Sequence, residues 1–264
     1  MSVPTSSGTG AHTSLLSVLV PACNESGNIP RLVAGIEAVL EREAIPYEIL
    51  IVNDHSRDGT LSAAGQEARR NPRIRLIDNN GRSGYGFAVR KGLEHFKGDM
   101  VVIAMADASD SPEDMAAYYR KMEEGFDCVF GNRFCPQARV LNYPFHKLVF
   151  NRIANFFIRV LFRIHYADVT NAFKCYSRQA VRGMQPLIAC HFNLTVEMPL
   201  KAIIRGYRWT VIPTHWTGRK QGMSKWKIKE MGSRYMFIII YLWLEKTLSR
   251  GDYHRSLNEN TSYQ

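Results

Sequence analysis

The 264-residue sequence has no apolar run able to cross a bilayer: its longest, Met236–Leu244, falls far short of the roughly 20 residues that a spanning helix needs. Cysteine is scarce. The five copies, Cys23, Cys128, Cys135, Cys175 and Cys190, are odd in number and form no CxxC pair, which speaks against a disulfide framework or a structural zinc site and for a reducing, cytoplasmic setting. The opening MSVPTSSGTGAHTS lacks a charged n-region and an apolar core of signal length, so residues 1–14 read as a disordered tail and residues 249–264 as a second tail. Internal repeats are absent. So are RNP aromatics, zinc-finger spacing and a recognition-helix pattern, and nucleic acid is therefore not an expected partner.

What is present suffices for one substantial core, since 45% of the residues are hydrophobic and no composition break divides the chain. A single domain is expected over residues 15–225, followed by an amphipathic helix over 226–248. The formal charge is +10 and unevenly spread: residues 201–234 carry nine Lys or Arg against one acid, Glu230, and residues 139–166 carry five against none. The phosphates of a nucleotide or a lipid suit such a surface, as does plain solubility.

Along the chain, Leu15–Val20 is a β-rich run ending at Pro21, and Leu32, Val33, Ile36, Val39 and Leu40 then follow at helical spacing. The strand, loop and helix pattern returns at Glu48–Val52 with NDHSRDGT, and at Ile74–Ile77 with NNGRSGYG and a helix through Phe96. Met100–Met105 reads as a fourth buried strand, with ADASDSPED at its end before a helix opened by Pro112. A doubly wound, mostly parallel α/β sheet follows, with three polar loops at the carboxyl ends of its strands, where ligands bind in such sheets. The second half predicts a helix over Phe145–Ile164, strands near Ala172–Tyr176 and Trp209–Ile212, and helices after Phe192 and after Trp226.

The ordered motifs VPACNESGNI, EILIVNDHSRDGT, RSGYGFAVRKGL, MADASDSPED, VFGNRF, DVTNAFKCYSR and GRKQGMSK resemble a family-2 glycosyltransferase, and within it the dolichyl- or polyprenyl-phosphate sugar synthases, over roughly Ser17 to Tyr235. The resemblance implies a GT-A fold, Rossmann-like, with C-terminal helices on the acceptor side. It implies inverting transfer from a UDP- or GDP-linked sugar to a polyprenyl phosphate, with Mg²⁺ or Mn²⁺ as cofactor and peripheral contact with the cytoplasmic face of a membrane. Two alternatives keep the fold: transfer to a hydroxyl acceptor, or a nucleotide-sugar-binding protein without activity.

By the same resemblance Pro21, Asn24 and Glu25 line the base and ribose, and Asp54 accepts from them, although an Asp before Ser and Gly also commonly caps a turn. The usual metal loop departs from the pattern, because Met105 stands at the first carboxylate position. Asp107 holds the second, Ser109 is a further oxygen ligand, and Asp110 either supplies another carboxylate or caps the next helix. Arg133 and Arg219 match arginines that meet the diphosphate, with Ser224 and Lys225 assisting from a glycine-containing lid. Lys147 and Asn151, four apart on one helical face, with Arg152 beside them, match the helix that meets the acceptor phosphate. Asp168 and Glu197 are read as orienting groups, Glu197 being the base if the acceptor is a hydroxyl. Phe156–Tyr166, with Arg159 and Arg163 on one face, and the segment around Met236–Trp243 are the expected membrane-facing elements.

Overall fold

A computed structural model describes residues 13–218 and 228–255. Four strand-helix pairs open the chain: β1 (Leu16–Ala22) and α1 (Ile29–Arg42), β2 (Tyr47–Asn53) and α2 (Thr60–Arg70), β3 (Ile74–Asp78) and α3 (Tyr85–Leu93), β4 (Met100–Ile103) and α4 (Pro112–Glu123). The second half continues through β5 (Cys128–Asn132), β6 (Val140–Leu141), α5 (Phe145–Phe162), β7 (Lys174–Ser177), α6 (Arg178–Gly183) and α7 (Leu194–Ile204). It closes with β8 (Trp209–Pro213), β9 (Trp216–Thr217) and α8 (Ile228–Leu248).

Seven strands form one sheet in the order β3-β2-β1-β4-β7-β5-β8, while β6 pairs with β9. The pairings among β1 to β4 are parallel and β7 runs antiparallel between β4 and β5, so the sheet is mostly parallel, as the repeating pattern predicts. The chain winds from β1 out to β3 and returns to β4 on the other side of β1. That reversal opens a crevice at the carboxyl ends of β1 and β4, the switch point where such sheets bind ligands.

Every residue of β1 and β2 is buried, because helices cover both faces of the sheet. Alternate residues point to opposite faces, so Val18 and Val20 pack with Leu32, Ile36 and Leu40 of α1 and Met115 of α4. Leu19, Leu50 and Val52 pack on the other side with Val89 of α3, Ile158 and Phe162 of α5, Met198 of α7 and Leu242 of α8.

Three expectations need correction. The first strand does not end at Pro21 but runs to Ala22. Leu19 O accepts from Ala104 and Ala22 O from Asp54, so by alternation the missing N–H of Pro21 faces past the end of β4, where no ladder bond is lost. Arg159 and Arg163 do not share a helical face, because α5 stops at Phe162 and Arg163 is its left-handed cap. Residues 249–255 are not a tail: Arg255 N donates to Arg205 O at 2.9 Å and its guanidinium pairs with Asp127. Most of the predicted N-terminal tail lies outside the described residues.

Candidate active site

The loops after β1, β2 and β3 are tied to one another by side-chain bonds. Asn24, with φ 58°, accepts from Arg57 N at 2.7 Å through its side chain, and its own N–H donates to Ser56 Oγ at 3.0 Å. Glu25 N donates to Thr60 Oγ1 at 2.8 Å, and the Glu25 carboxylate accepts from Asn28 Nδ2. Pro21 is buried within β1. Asp54 is also buried. Its Oδ1 accepts from Asn79 Nδ2 at 2.9 Å, while its Oδ2 accepts from Gly84 N at 2.9 Å and from Ser83 Oγ at 3.3 Å. The Asp caps the next loop over rather than its own turn, which fastens the glycine-rich start of α3 to the end of β2. Asn79 was not singled out in the sequence, although its place directly after β3 matches that of Asp54 after β2.

The acidic loop after β4 is closed on itself. Asp107 Oδ1 accepts from Ser109 N, and Asp110 Oδ2 accepts from Met105 N, both at 3.1 Å. Burial pushes the Asp110 carboxyl up to about 7; the Met105 N–H opposes this, and the neighbouring Asp107 charge adds to it. Asp110 therefore holds the loop rather than capping α4, whose cap is Ser111. Thr217 N donates to Ser109 O at 2.9 Å, and a cleft of about 360 Å³ is lined by Arg31, Gly35, Asp107, Asp110, Thr217 and Gly218. Among the described residues no group of three or more His, Cys, Asp or Glu side chains could hold a metal ion. Two neighbouring carboxylates still fit a hard cation whose other ligands are substrate phosphates and water, the usual manner for Mg²⁺.

Arg133, just after β5, forms a two-pronged pair with Asp168: Nε to Oδ2 and Nη2 to Oδ1 are each 2.8 Å, and Arg133 N adds a bond of 2.9 Å to Oδ2. Burial alone lowers the guanidinium pKa, but Asp168 outweighs it and keeps the group charged. The same guanidinium stands 5.5 Å from the centres of both the Phe134 and Tyr143 rings. Tyr143 OH accepts from Asn151 Nδ2, Asn151 Oδ1 accepts from Thr170 Oγ1 at 3.0 Å, and Arg152 lies 5.0 Å over Phe134. Arg133, Asn151 and Arg152 thus meet around Phe134 and Tyr143, with Lys147 one turn earlier on α5.

Glu197 is apart from this cluster. It is fully buried, and its carboxylate accepts from Ile188 N and Ala189 N and pairs with Lys201 at 2.8 Å. A carboxylate so enclosed fits the orienting role expected of it, while the alternative role, as base for a hydroxyl acceptor, meets no open surface at Glu197. Arg219, Ser224 and Lys225 lie outside the described residues.

Beyond Arg133 the outward face of α5 is apolar and exposed at Phe145, Val149, Ile153, Phe156 and Val160, and α8 exposes Phe237, Ile240, Trp243, Leu244 and Leu248. Apart from the adjacent Trp243 and Leu244, these residues recur three or four apart, so each set forms a stripe along its helix. Among the described residues no helix is long and apolar enough to cross a membrane.

Residues 17–184 match the sequence model of the family described as “Glycosyl transferase family 2”. The chain is 28% identical over 215 residues to polyprenol monophosphomannose synthase of Mycolicibacterium smegmatis, covering 79% of each protein. It is also 28% identical over 211 residues to an uncharacterised glycosyltransferase of Synechocystis sp., covering 80% of this chain and 64% of that one. Its fold is that of glucosyl-3-phosphoglycerate synthase from Mycobacterium tuberculosis, solved with Mn²⁺, UDP and glucosyl-3-phosphoglycerate, with a TM-score of 0.65, 15% identity, and coverage of 88% of this chain and 80% of that one.

Proposed function

Since the chain is a member of glycosyl transferase family 2, we propose that it moves a sugar from a nucleotide diphosphate to a polyprenyl phosphate with inversion at the anomeric carbon. The observation that carries this reading is the double character of α5. Its inner side brings Asn151 to Tyr143, the ring that also faces Arg133, with Lys147 one turn earlier, while its outer side is an exposed apolar stripe. An acceptor whose phosphate reacts inside a protein while its hydrocarbon tail stays in a bilayer needs both sides. The relative named for polyprenol monophosphomannose synthesis supports the same acceptor class.

In this mechanism the nucleoside lies along the loops fastened by Asn24, Glu25 and Asp54, and the diphosphate extends towards Asp107 and Asp110. When bound, Mg²⁺ or Mn²⁺ held partly by Asp107 and Asp110 supplies Lewis-acid neutralisation of the leaving diphosphate. The Arg133 guanidinium, kept charged by Asp168, attracts the phosphate oxygens of the donor, and Lys147 and Arg152 attract the acceptor phosphate. One phosphate oxygen of the acceptor bonds to the anomeric carbon as the carbon–oxygen bond to the diphosphate breaks. The acceptor is already anionic, so no base is required, in keeping with the enclosed Glu197.

The test incubates the purified chain with radiolabelled UDP- and GDP-sugars and a polyprenyl phosphate in detergent. Label passing into organic solvent is the expected result. Label found only in a water-soluble glycoside, with a phosphoglycerate or glycan acceptor, overturns the lipid acceptor.

A further inference from the structure

We infer that Glu197 is a positioning residue for the nucleotide side of the site, acting through the segment Pro186–Cys190 on the glycine-rich start of α3. The inference rests on the reading that the Asp54 edge binds the nucleotide. Glu197 Oε1 lies 2.8 Å and Oε2 3.1 Å from Ile188 N, and Oε2 lies 2.7 Å from Ala189 N. Lys201, one turn later on α7, pairs with the same carboxylate and donates to Pro186 O, so the two charged ends grip the segment through its N–H groups and a carbonyl. Arg205, paired with Glu245 of α8, fixes the approach to that segment by donating to Gly183 O at 2.7 Å and to Gln185 O at 3.0 Å.

The segment held in this way presses directly on α3. Gly86 N donates to Cys190 O at 3.1 Å, and a Cβ on Gly86 would collide with the backbone of Ala189 and Cys190. Gly84 has a φ of 148°, and a Cβ there would stand 2.6 Å from Cys190 O. Both positions require glycine, one for close approach and the other for close approach and backbone angle together. From Gly84 the chain of contacts reaches Asp54, whose Oδ2 accepts from Gly84 N at 2.9 Å. A continuous set of bonds thus runs from Glu197 through Ile188–Cys190 and Gly86 to the carboxylate that faces the nucleotide.

Core packing alone does not call for charge at Glu197. Replacing a buried ion pair with apolar side chains of similar volume is often neutral or stabilising. Here such a change leaves the N–H groups of Ile188 and Ala189 without acceptors, and the segment loses the geometry it imposes on Gly84 and Gly86.

The experiment titrates the full-length chain with UDP and GDP by calorimetry and measures donor KM and kcat, for the parent and for Glu197→Gln, Glu197→Asp, Gly86→Ala and Asp54→Ala. In Glu197→Gln an amide NH₂ replaces one of the acceptor oxygens. A rise of about tenfold in nucleoside-diphosphate Kd and donor KM is expected, with kcat at saturation changed less than about threefold. Gly86→Ala, which displaces the same segment without touching Glu197, should give the same split, and Glu197→Asp, which keeps the charge but draws it back from Ile188 N and Ala189 N, decides the matter if Glu197→Gln does not fold. If Asp54→Ala weakens nucleotide binding while Glu197→Gln and Gly86→Ala bind as the parent does, even with a lowered Tm, the positioning role is overturned and the nucleotide reading stands. A fall in kcat alone in Glu197→Gln, with a displaced pH profile, also overturns it by making Glu197 a base. Unchanged affinity in Asp54→Ala overturns the nucleotide reading and the inference with it.

Discussion

Arg133 is the residue on which the proposed chemistry turns, and its pairing with Asp168 sets two opposing expectations. Removing one partner of a buried pair costs about 3–5 kcal/mol of stability, so Arg133→Ala should lower Tm as well as rate. Its kcat should fall by about 10²–10³-fold with donor KM little changed, because the charge it meets develops during transfer. Steady-state kinetics at a temperature where the variant is folded checks this, and parent-like kcat refutes the role. Asp107→Ala should abolish turnover that Mg²⁺ or Mn²⁺ supports, and full activity of that variant in excess chelator would remove the metal from the mechanism. Asp58 gives a pH-dependent prediction. Slight burial pushes its carboxyl up, but bonds from Thr60 and Ser26 outweigh this and hold it at about 2 against an ordinary 3.8. A carboxyl depressed in the folded state contributes stability that is present above 3.8 and is lost as pH falls towards 2. The gap in Tm between the parent and Asp58→Asn should therefore close across that window in a thermal-melt series. A gap of constant size contradicts it.

Among the elements, α5 and α8 differ from the other helices in what they leave uncovered. α1 buries its apolar residues against the sheet, whereas α5 buries Ile158 and Phe162 and exposes Phe145, Ile153, Phe156 and Val160. Scattered surface apolar residues are ordinary, but here exposed apolar stripes lie on two helices that touch each other, an arrangement that calls for a partner. The sequence adds Lys225 and Lys227 before α8 and Lys229 at its start, which suit anionic headgroups. Flotation with phosphatidylserine vesicles at low salt should carry the parent chain upward. Ile153→Asp combined with Phe156→Asp, or charge reversal at the three lysines, should leave the folded protein at the bottom. A parent chain that does not float removes the bilayer as the partner of these helices.

Across the whole molecule, the last described residues are built into the fold. The Arg205–Glu245 pair joins α7 to α8 with only 3% and 5% of the two side chains exposed, and Arg255 adds a second tie to Asp127. Exposed pairs such as Arg42–Glu43, by contrast, contribute at most about 1 kcal/mol. Glu245→Ala should therefore lower the unfolding free energy by about 3–5 kcal/mol in urea titrations, and Glu43→Ala by less than about 1 kcal/mol. Equal losses would mean that burial of the α7–α8 pair has no energetic consequence.

Local pattern was enough to read the alternation of strand, loop and helix, because apolar spacing, glycine and proline act over a few residues. It was also enough to gather the loops of Asn24, Asp54 and Asp107 at one sheet edge, since parallel strands carry all their carboxyl ends to the same edge. The GT-A fold and the family followed from the joint order of the motifs. Atomic partners were not legible in the same way. Nothing local couples Asp54 to Asn79, Arg133 to Asp168, or Glu197 to Ile188 and Ala189. The first depends on the register of β2 against β3, the second on β7 entering antiparallel beside β5, and the third on the turn that brings Ile188 and Ala189 back against α7. An isolated Glu on a helix reads equally well as a base or a scaffold. Only the enclosed carboxylate, with backbone N–H groups around it, decides between them, because desolvation and hydrogen bonding are properties of the folded surroundings and not of the residue type.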